Sequence, residues 1–238
     1  MENLSIIIPF YNEEKRLKKS FKILNNFLLN RKNAEIIFVN DGSNDQSENI
    51  IHNFIYNFKK KKSIRYIAYK KNIGKGYAVK KGILNSKKDW ILICDADMSV
   101  QPNQLNQWFK KKLIINPNKA YFGSRKHTSS KVKTSPIREL LGIIFNLIIN
   151  FLFDIKIRDT QCGYKLFNKK YAKSIFRNIS SYRFSFDIEL VLLLKKKNIE
   201  IKELPVIWKH KPGSKLNIFY DIPIMLLDIF KIKLKKLD

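Results

Sequence analysis

The first hundred residues alternate short apolar runs with segments of helical periodicity, and this order restricts the fold more than any other feature. Three segments of helical periodicity separate the predicted strands. In the first of them, Leu17, Leu24 and Leu28 recur at the spacing of one helix face. A β-α-β-α order with apolar strands predicts an α/β fold, in which helices cover both faces of a mostly parallel sheet. The predicted strands are LSIIIPF (4–10), AEIIFVNDGS (34–43), SIRYIAY (63–69) and DWILICDAD (89–97).

Polar residues and glycines follow each predicted strand. In an open α/β sheet, ligands bind in the crevice outside the carboxyl ends of the strands. These segments therefore predict a ligand site at one edge of the sheet. They are PFYNE (9–13), NDGS (40–43), NIGKG (72–76) and DAD (95–97).

Asp95 and Asp97 are candidates for a metal site. Two carboxylates two residues apart on an extended strand point to opposite faces, so a turn is needed to bring both near one cation. Mg²⁺ usually takes one or two carboxylates together with substrate phosphates. An isolated Asp-x-Asp also caps turns and helices, and that alternative stays open at this point.

The charge of the chain favours phosphate-bearing partners. Lys and Arg number 47 against 20 Asp and Glu, for a formal charge of +27. Such a balance favours nucleic acid, nucleotides or anionic lipid headgroups, although lysine is abundant throughout and also fits a compositional bias. We expect no nucleic acid partner, because aromatic residues do not alternate with lysines on one strand face and no nucleic-acid-binding motif is found.

Two apolar segments in the second half predict helices over 137–153 and 216–234. The first contains an apolar stretch of 14 residues, 140–153, broken only by one glycine and two asparagines, which is shorter than the roughly 20 residues that cross a bilayer. The second ends in Lys231, Lys233, Lys235 and Lys236. Such helices favour the membrane interface, with lysines towards the headgroups, and packing on the core is the alternative.

The amino terminus and the cysteines predict a cytoplasmic, reducing location, and the two apolar segments predict peripheral attachment to the membrane. The chain runs from Met1 into a strand pattern without the features of a signal peptide. Cys94 and Cys162 have no CxxC partner, so neither a disulfide framework nor a zinc site follows from them.

Six segments occur in a recognisable order and spacing over nearly the whole chain: SIIIPFYNEEKRL, FVNDGSNDQS, NIGKGYAVKKGI, ILICDADMS, FGSRK and DTQCGYKLF. Together they resemble the family 2 glycosyltransferases in order and in approximate spacing. The chain looks most like the dolichyl-phosphate glucosyl- and mannosyltransferases of that family, and DTQCGYKLF is more similar to the glucosyl branch.

The resemblance implies one domain of the Rossmann-like GT-A type over residues 1–238. Its first half (1–130) would bind the nucleotide sugar and its second half (131–238) the acceptor. The implied reaction is inverting transfer of a hexose, with glucose from UDP-glucose favoured, to a polyprenyl or dolichyl phosphate at the cytoplasmic membrane face. A sugar-hydroxyl acceptor and a GDP-mannose donor are the alternatives.

The resemblance also implies a set of donor-site residues. Pro9, Tyr11 and Glu13 would lie against the nucleotide base and ribose. Asp41 would form a hydrogen bond with the base or the ribose. Alternatively, Glu13 caps the first helix, Asp41 only forms a turn, and residues 74–76 only start a helix. The implied nucleotide-sugar-binding positions are Pro9, Tyr11, Glu13, Asp41, Gly74, Lys75, Asp95 and Ala96.

Asp95, Asp97 and Arg125 are the implied catalytic residues. The two aspartates would hold Mg²⁺ or Mn²⁺ at the diphosphate, and Arg125 would face phosphate, which a guanidinium engages with two parallel hydrogen bonds. Ser99 stands where the mannosyl relatives carry a further polar residue beside the metal, so the full set of ligands is left open.

The acceptor determines whether a base is required. A phosphate acceptor is already anionic, whereas a hydroxyl must lose a proton to a group such as Asp159, Asp187 or Glu189. Asp187 is equally suited to be a helix N-cap, with Glu189 in the first turn. Arg138 is a candidate for the lipid phosphate and His210 for the metal or diphosphate. The alternative is a solvent-exposed position for Arg138, and a surface or core position without a functional role for His210.

Overall fold

The computed structural model describes residues 3–59, 63–114, 116–133, 136–153, 155–213 and 218–234. The strands are β1 (Leu4–Phe10), β2 (Ala34–Asn40), β3 (Ile64–Ala68), β4 (Trp90–Ile93), β5 (Ala120–Ser124), β6 (Lys131–Lys133), β7 (Lys165–Asn168), β8 (Ile201–Pro205) and β9 (Ile207–Lys209). The helices are α1 (Glu14–Leu29), α2 (Ser47–Asn57), α3 (Lys75–Asn85), α4 (Gln104–Lys110), α5 (Pro136–Phe153), α6 (Lys169–Asn178), α7 (Phe186–Lys196) and α8 (Ile218–Leu234).

Seven strands form the central sheet, in the order β3-β2-β1-β4-β7-β5-β8. Neighbouring strands are parallel except at β7, which pairs antiparallel with both β4 and β5. The prediction of a mostly parallel α/β sheet is confirmed. Because β7 runs in the opposite direction, the residues that precede it lie at the same edge of the sheet as the carboxyl ends of β4 and β5.

Helices cover both faces of the sheet because the central strands are apolar on both sides. Every residue of β1 and β2 is buried. On β1, Ile6 and Ile8 pack into the layer formed with α1, α2 and α4, whereas Ile7 packs into the layer formed with α3, α6 and α7. Period-two alternation of side chains along a strand produces this division.

The two apolar helices α5 and α8 each bury one side in the second layer, through Ile149 and Ile229. The opposite sides expose large apolar side chains: Ile143, Ile144, Leu147 and Phe151 on α5, and Leu227, Phe230 and Leu234 on α8. Within the described residues, no helix combines the length and the apolar character needed to span a bilayer. Lys235 and Lys236 lie outside the described residues.

Candidate active site

A cavity of about 310 Å³ opens at the carboxyl ends of β1, β2 and β4. The structure brings all eight residues that the resemblance assigned to nucleotide-sugar binding, and also Asp97, to the wall of this cavity. They come from the carboxyl ends of β1, β2 and β4 and from the segment that leads from β3 into α3, as expected for the crevice of a parallel sheet. The lining residues are Pro9, Phe10, Tyr11, Glu13, Arg16, Asp41, Asn72, Gly74, Lys75, Ala78, Asp95, Ala96, Asp97, Arg183 and Phe184.

A tight turn after β4 places Asp95 and Asp97 on the same cavity. The backbone N–H of Met98 donates to the carbonyl of Asp95 at 3.0 Å, and Met98 has a left-handed φ of 53°. The backbone N–H of Ser99 donates to Oδ1 of Asp97 at 2.9 Å. The turn therefore overcomes the alternation of a strand, which would have directed the two carboxylates to opposite faces.

Asp95 is paired with Lys75 at the start of α3. The Nζ atom of Lys75 lies 2.6 Å from Oδ1 of Asp95. Burial alone raises the pKa of Asp95, but the ammonium group outweighs it and holds the pKa below its usual value. Asp95 is therefore ionised at neutral pH. Asp95 also touches Gly163, where an added Cβ would collide with the carboxylate, so any other residue at that position would force the carboxylate of Asp95 to move.

Asp97 and Glu13 share one cation, the guanidinium of Arg16. Nη1 of Arg16 donates to Asp97 at 3.0 Å, and its other nitrogens donate to both carboxylate oxygens of Glu13. Glu13 occupies the N-cap position of α1, but its side chain makes no capping hydrogen bond. The carboxylate therefore belongs to the cavity wall and does not cap the helix.

The carboxylates at this cavity fit a hard divalent cation that takes only a few of its ligands from the protein. Asp95 and Asp97 supply the carboxylate oxygens that Mg²⁺ and Mn²⁺ prefer. Among the residues that the structure describes, no group of three or more His, Cys, Asp or Glu side chains is placed to hold a metal ion. A cation here would therefore need further oxygens from a ligand, such as those of a diphosphate.

Asp41 organises the loop that leads into α3. Its carboxylate accepts hydrogen bonds from the backbone N–H groups of Ile73 and Gly74, each at 2.9 Å, and from the Asn72 side chain at 2.9 Å. Burial raises the pKa of Asp41 above its usual value. Gly74 is the N-cap residue of α3 with a φ of 128°. Asp41 and Gly74 therefore have local structural roles and also line the cavity.

The guanidinium of Arg125 is engaged by a buried carboxylate. Its Nε and Nη2 atoms donate to the two oxygens of Asp159, both at 2.8 Å, and it also lies over the ring of Trp208. Arg125 is not among the residues that line the cavity. Its predicted contact with phosphate would have to be made from this fixed position beside Asp159.

Asp187 and Glu189 lie in the first turn of α7, and both carboxylates are engaged in contacts within the protein. The alternative in which Asp187 is the N-cap does not hold, because Ser185 occupies that position and the carboxylate of Asp187 pairs with the buried Lys165 at 2.5 Å. Glu189 accepts hydrogen bonds from Ser180 and Ser181. Both carboxylates are buried and hold neighbouring segments in place.

Of the remaining two candidates, His210 is not among the residues that line the cavity. His210 stacks on Trp208, with ring centroids 6.0 Å apart, beside the small parallel sheet of β6 and β9. Arg138 is on α5, but its side chain lies outside the part of the chain that is described.

Sequence reasoning missed five polar or aromatic residues of the cavity wall. The position of Arg16, three residues after Glu13 on a helix, was the one available signal, because side chains at that spacing are neighbours. Phe10 and Asn72 belong to the predicted strand-end segments 9–13 and 72–76, but neither was predicted to bind the ligand. Arg183 and Phe184 belong to the loop before α7, and no local pattern indicates that this loop reaches the cavity.

Comparison with known proteins agrees with this geometry. The profile of Glycosyl transferase family 2 matches residues 5–176. A dolichyl-phosphate beta-glucosyltransferase of Trichomonas vaginalis is 34% identical over 225 residues, which cover 90% of this chain and 66% of that protein. The human dolichyl-phosphate beta-glucosyltransferase is 33% identical over 254 residues, which cover 99% of this chain and 76% of that protein. The chain thus spans about two thirds to three quarters of the length of these relatives.

Solved structures show the same fold at low sequence identity. Glucosyl-3-phosphoglycerate synthase from Mycobacterium tuberculosis, in complex with Mn²⁺, UDP and glucosyl-3-phosphoglycerate, superposes with a TM-score of 0.68 and 14% identity, covering 98% of this chain and 79% of that one. The family profile covers well over half of the 238 residues, and the identity to the human enzyme extends over nearly the whole chain. This chain is a glycosyltransferase and belongs to glycosyl transferase family 2.

Proposed function

We propose that this protein transfers glucose from UDP-glucose, with inversion, to a dolichyl or other polyprenyl phosphate at the cytoplasmic face of a membrane. The observation that carries the proposal is the cavity into which Asp95 and Asp97 project beside the other strand ends. The curated relatives, which are named for glucosyl transfer to dolichyl phosphate, support the choice of glucose over mannose.

The cavity wall has the chemistry needed for a nucleoside diphosphate sugar. A Mg²⁺ or Mn²⁺ ion held by Asp95 and Asp97 would supply positive charge to the departing diphosphate. Lys75 adds a fixed cation on the same side, and Arg16 adds another beside Asp97. Preorganised charges aimed at the developing anion lower the barrier to its departure.

The contacts made by three carboxylates of residues 131–238 support a phosphate acceptor over a hydroxyl acceptor. A hydroxyl would need a base, and the three candidates for that role are already bonded: Asp159 to Arg125, Asp187 to Lys165, and Glu189 to the backbone at 180–181. All three are buried. A phosphate monoester attacks the sugar carbon without prior loss of a proton, so it needs none of them.

The outer faces of α5 and α8 support contact with a membrane surface. Leu147 and Phe151 are 64% and 91% exposed, and Leu227 and Phe230 are 61% and 52% exposed. Lys231 and Lys233 accompany them in the last turn of α8. Exposed apolar side chains with flanking lysines favour the headgroup region of a bilayer. The free, buried thiols of Cys94 and Cys162 fit a reducing compartment such as the cytoplasm.

Radiolabelled transfer into lipid tests the proposal. Purified protein is incubated with Mg²⁺, a polyprenyl phosphate and either UDP-glucose or GDP-mannose carrying label in the sugar. We expect label in the organic phase with UDP-glucose. Organic label with GDP-mannose alone would overturn the donor assignment, and aqueous product on an added oligosaccharide without organic label would overturn the acceptor assignment. Omission of polyprenyl phosphate gives the background.

A further inference from the structure

The loop between α6 and α7 forms one wall of the cavity, separate from the strand ends and the paired aspartates described above. Arg183 and Phe184 of this loop line the cavity. The carbonyl of Tyr182 accepts a hydrogen bond from the backbone N–H of Tyr77 at 3.1 Å, and an added Cβ at Gly74 would collide with the same carbonyl. The loop is thus packed directly on the start of α3.

Arg183 gives this wall a positive charge. Its guanidinium is exposed and lies near enough to Asp41 for its charge to favour the ionised carboxylate. A guanidinium presents its donors in a planar fork that matches phosphate oxygens, and it also stacks on planar rings. On the proposed function, Arg183 is thus placed to contact the nucleoside diphosphate.

Hydrogen bonds fix the loop at both ends. At its beginning, Glu189 accepts from the backbone N–H of Ser180 at 3.0 Å and of Ser181 at 2.7 Å. At its end, the hydroxyl of the fully buried Ser185 donates to Oδ2 of Asp228 at 2.7 Å. The first attachment is within the α7 segment itself, whereas the second is to α8, 43 residues along the chain.

Asp228 therefore links the cavity wall to α8, a helix that packs on the core with one side and exposes apolar side chains on the other. Ile229 and Ile232 of α8 are buried, and Leu227 and Phe230 are exposed. The position of α8 on the core determines where Asp228 lies, and Asp228 in turn restrains Ser185 and the residues immediately before it.

We propose that Asp228 is a positioning residue for the donor pocket, which holds the loop through Ser185 so that Arg183 and Phe184 face the nucleotide. The inference rests on the proposed function, in that the ligand of the cavity is a nucleoside diphosphate sugar. It adds a contribution from α8 to donor binding, independent of any contact that α8 makes with lipid.

Calorimetric titration of the 238-residue chain with UDP in the presence of Mn²⁺ tests this assignment. Asp228→Ala should weaken UDP binding by about fivefold, the effect of losing one hydrogen bond, and Asp228→Asn, which keeps an acceptor oxygen, should restore most of it. Ser185→Ala should match Asp228→Ala, and the double variant should be no weaker than either, because all three lack the same bond. Arg183→Gln should weaken UDP binding at least as much.

The control is Asp89→Ala, which removes an exposed carboxylate beside β4 at the amino end of the strand, away from the cavity. It should leave UDP binding unchanged, and thermal unfolding of every variant shows whether it is folded. Unchanged UDP affinity in Asp228→Ala or in Arg183→Gln, or additive losses in the double variant, would overturn the inference. Failure of the wild-type protein to bind UDP would instead overturn the proposed donor.

Discussion

Nη1 of Arg16 lies 3.0 Å from Oδ2 of Asp97, so a cation from helix α1 neutralises one carboxylate of the candidate metal site. The same guanidinium holds Glu13. A divalent ion and Arg16 would therefore act on the same carboxylate. Both partners are mostly buried, so solvent screens their charges only in part.

Replacement of Arg16 by Gln should tighten the binding of Mn²⁺ to the nucleotide-free protein. Removal of a positive charge next to a cation site reduces repulsion, and at the 3.0 Å separation of Arg16 from Asp97 we expect a gain of about tenfold or more. Electron paramagnetic resonance of free Mn²⁺ measures it. Arg31→Gln, just past the end of the same helix, is the matched control and should bind Mn²⁺ as the wild type does. Equal affinity in the two variants would show that Arg16 and the ion do not compete for Asp97.

Replacement of Asp97 by Ala should lower sugar transfer by at least about 100-fold, because the site would lose one of its two candidate carboxylate ligands. The radiolabel assay measures the rate, and circular dichroism checks the fold. Asp89→Ala again serves as the comparison, since it removes a carboxylate away from the cavity. Activity within a few-fold of wild type in the Asp97 variant would remove this aspartate from the site.

Replacement of Arg125 by Met should destabilise the protein in a pH-dependent way. Asp159 is buried, which raises its pKa, but Arg125 outweighs burial and holds the pKa below its usual value. The pair therefore stabilises the fold above the unfolded-state pKa of about 3.9, and this contribution is lost as the pH falls through the lower folded pKa. The variant keeps an unpaired buried carboxylate, so it should lose about 2 kcal/mol of unfolding free energy at pH 7.

Urea unfolding at several pH values tests the Arg125 variant. The deficit relative to wild type should shrink with acidification, as first the unpaired carboxylate of the variant and then the wild-type Asp159 takes up a proton. Lys119→Met, which breaks a partly exposed pair with Glu200, should cost less than about 1 kcal/mol. A deficit that is independent of pH would mean that Arg125 acts through packing on Trp208 and not through Asp159.

Substitution of Phe151 and Phe230 by Ser should weaken binding to vesicles that contain anionic lipid, by about tenfold for each ring that enters the apolar boundary. Co-sedimentation measures the bound fraction, and a salt series separates the contribution of the lysines. Tyr56→Ser is the control, because this exposed ring is on α2, across the sheet from α5 and α8. An effect of the control equal to that of the Phe variants would argue against a defined membrane face.

The part of the site that is local in sequence could be predicted from the sequence. Strand ends are marked by the switch from apolar to polar residues, and parallel pairing brings these ends together, so Tyr11, Asp41 and Asp95 were expected at one edge. The Asp-Ala-Asp turn likewise needs only the residues from Asp95 to Ser99.

Contacts between distant segments could not be predicted in this way. Arg16 meets Asp97 across 81 residues, and Arg183 reaches the cavity through the packing of a loop on α3. The N-cap alternative for Asp187 fails for the same reason, because a carboxylate near the start of a helix favours the N-cap locally, whereas here it pairs with the buried Lys165. Contacts of this kind depend on the tertiary packing of distant segments, which local sequence preferences do not encode.

The antiparallel strand β7 also limits how this chain can be divided. It lies between β4 and β5, so the strands of residues 1–130 are joined in the sheet by a strand from the second half. A fragment that ends at residue 130 would leave the backbone groups of β4 and β5 unpaired along the edges facing β7, and such open edges invite aggregation. The two halves should therefore be produced as one polypeptide or co-expressed, and a split reporter or circular permutant of this protein should keep β4, β5 and β7 together.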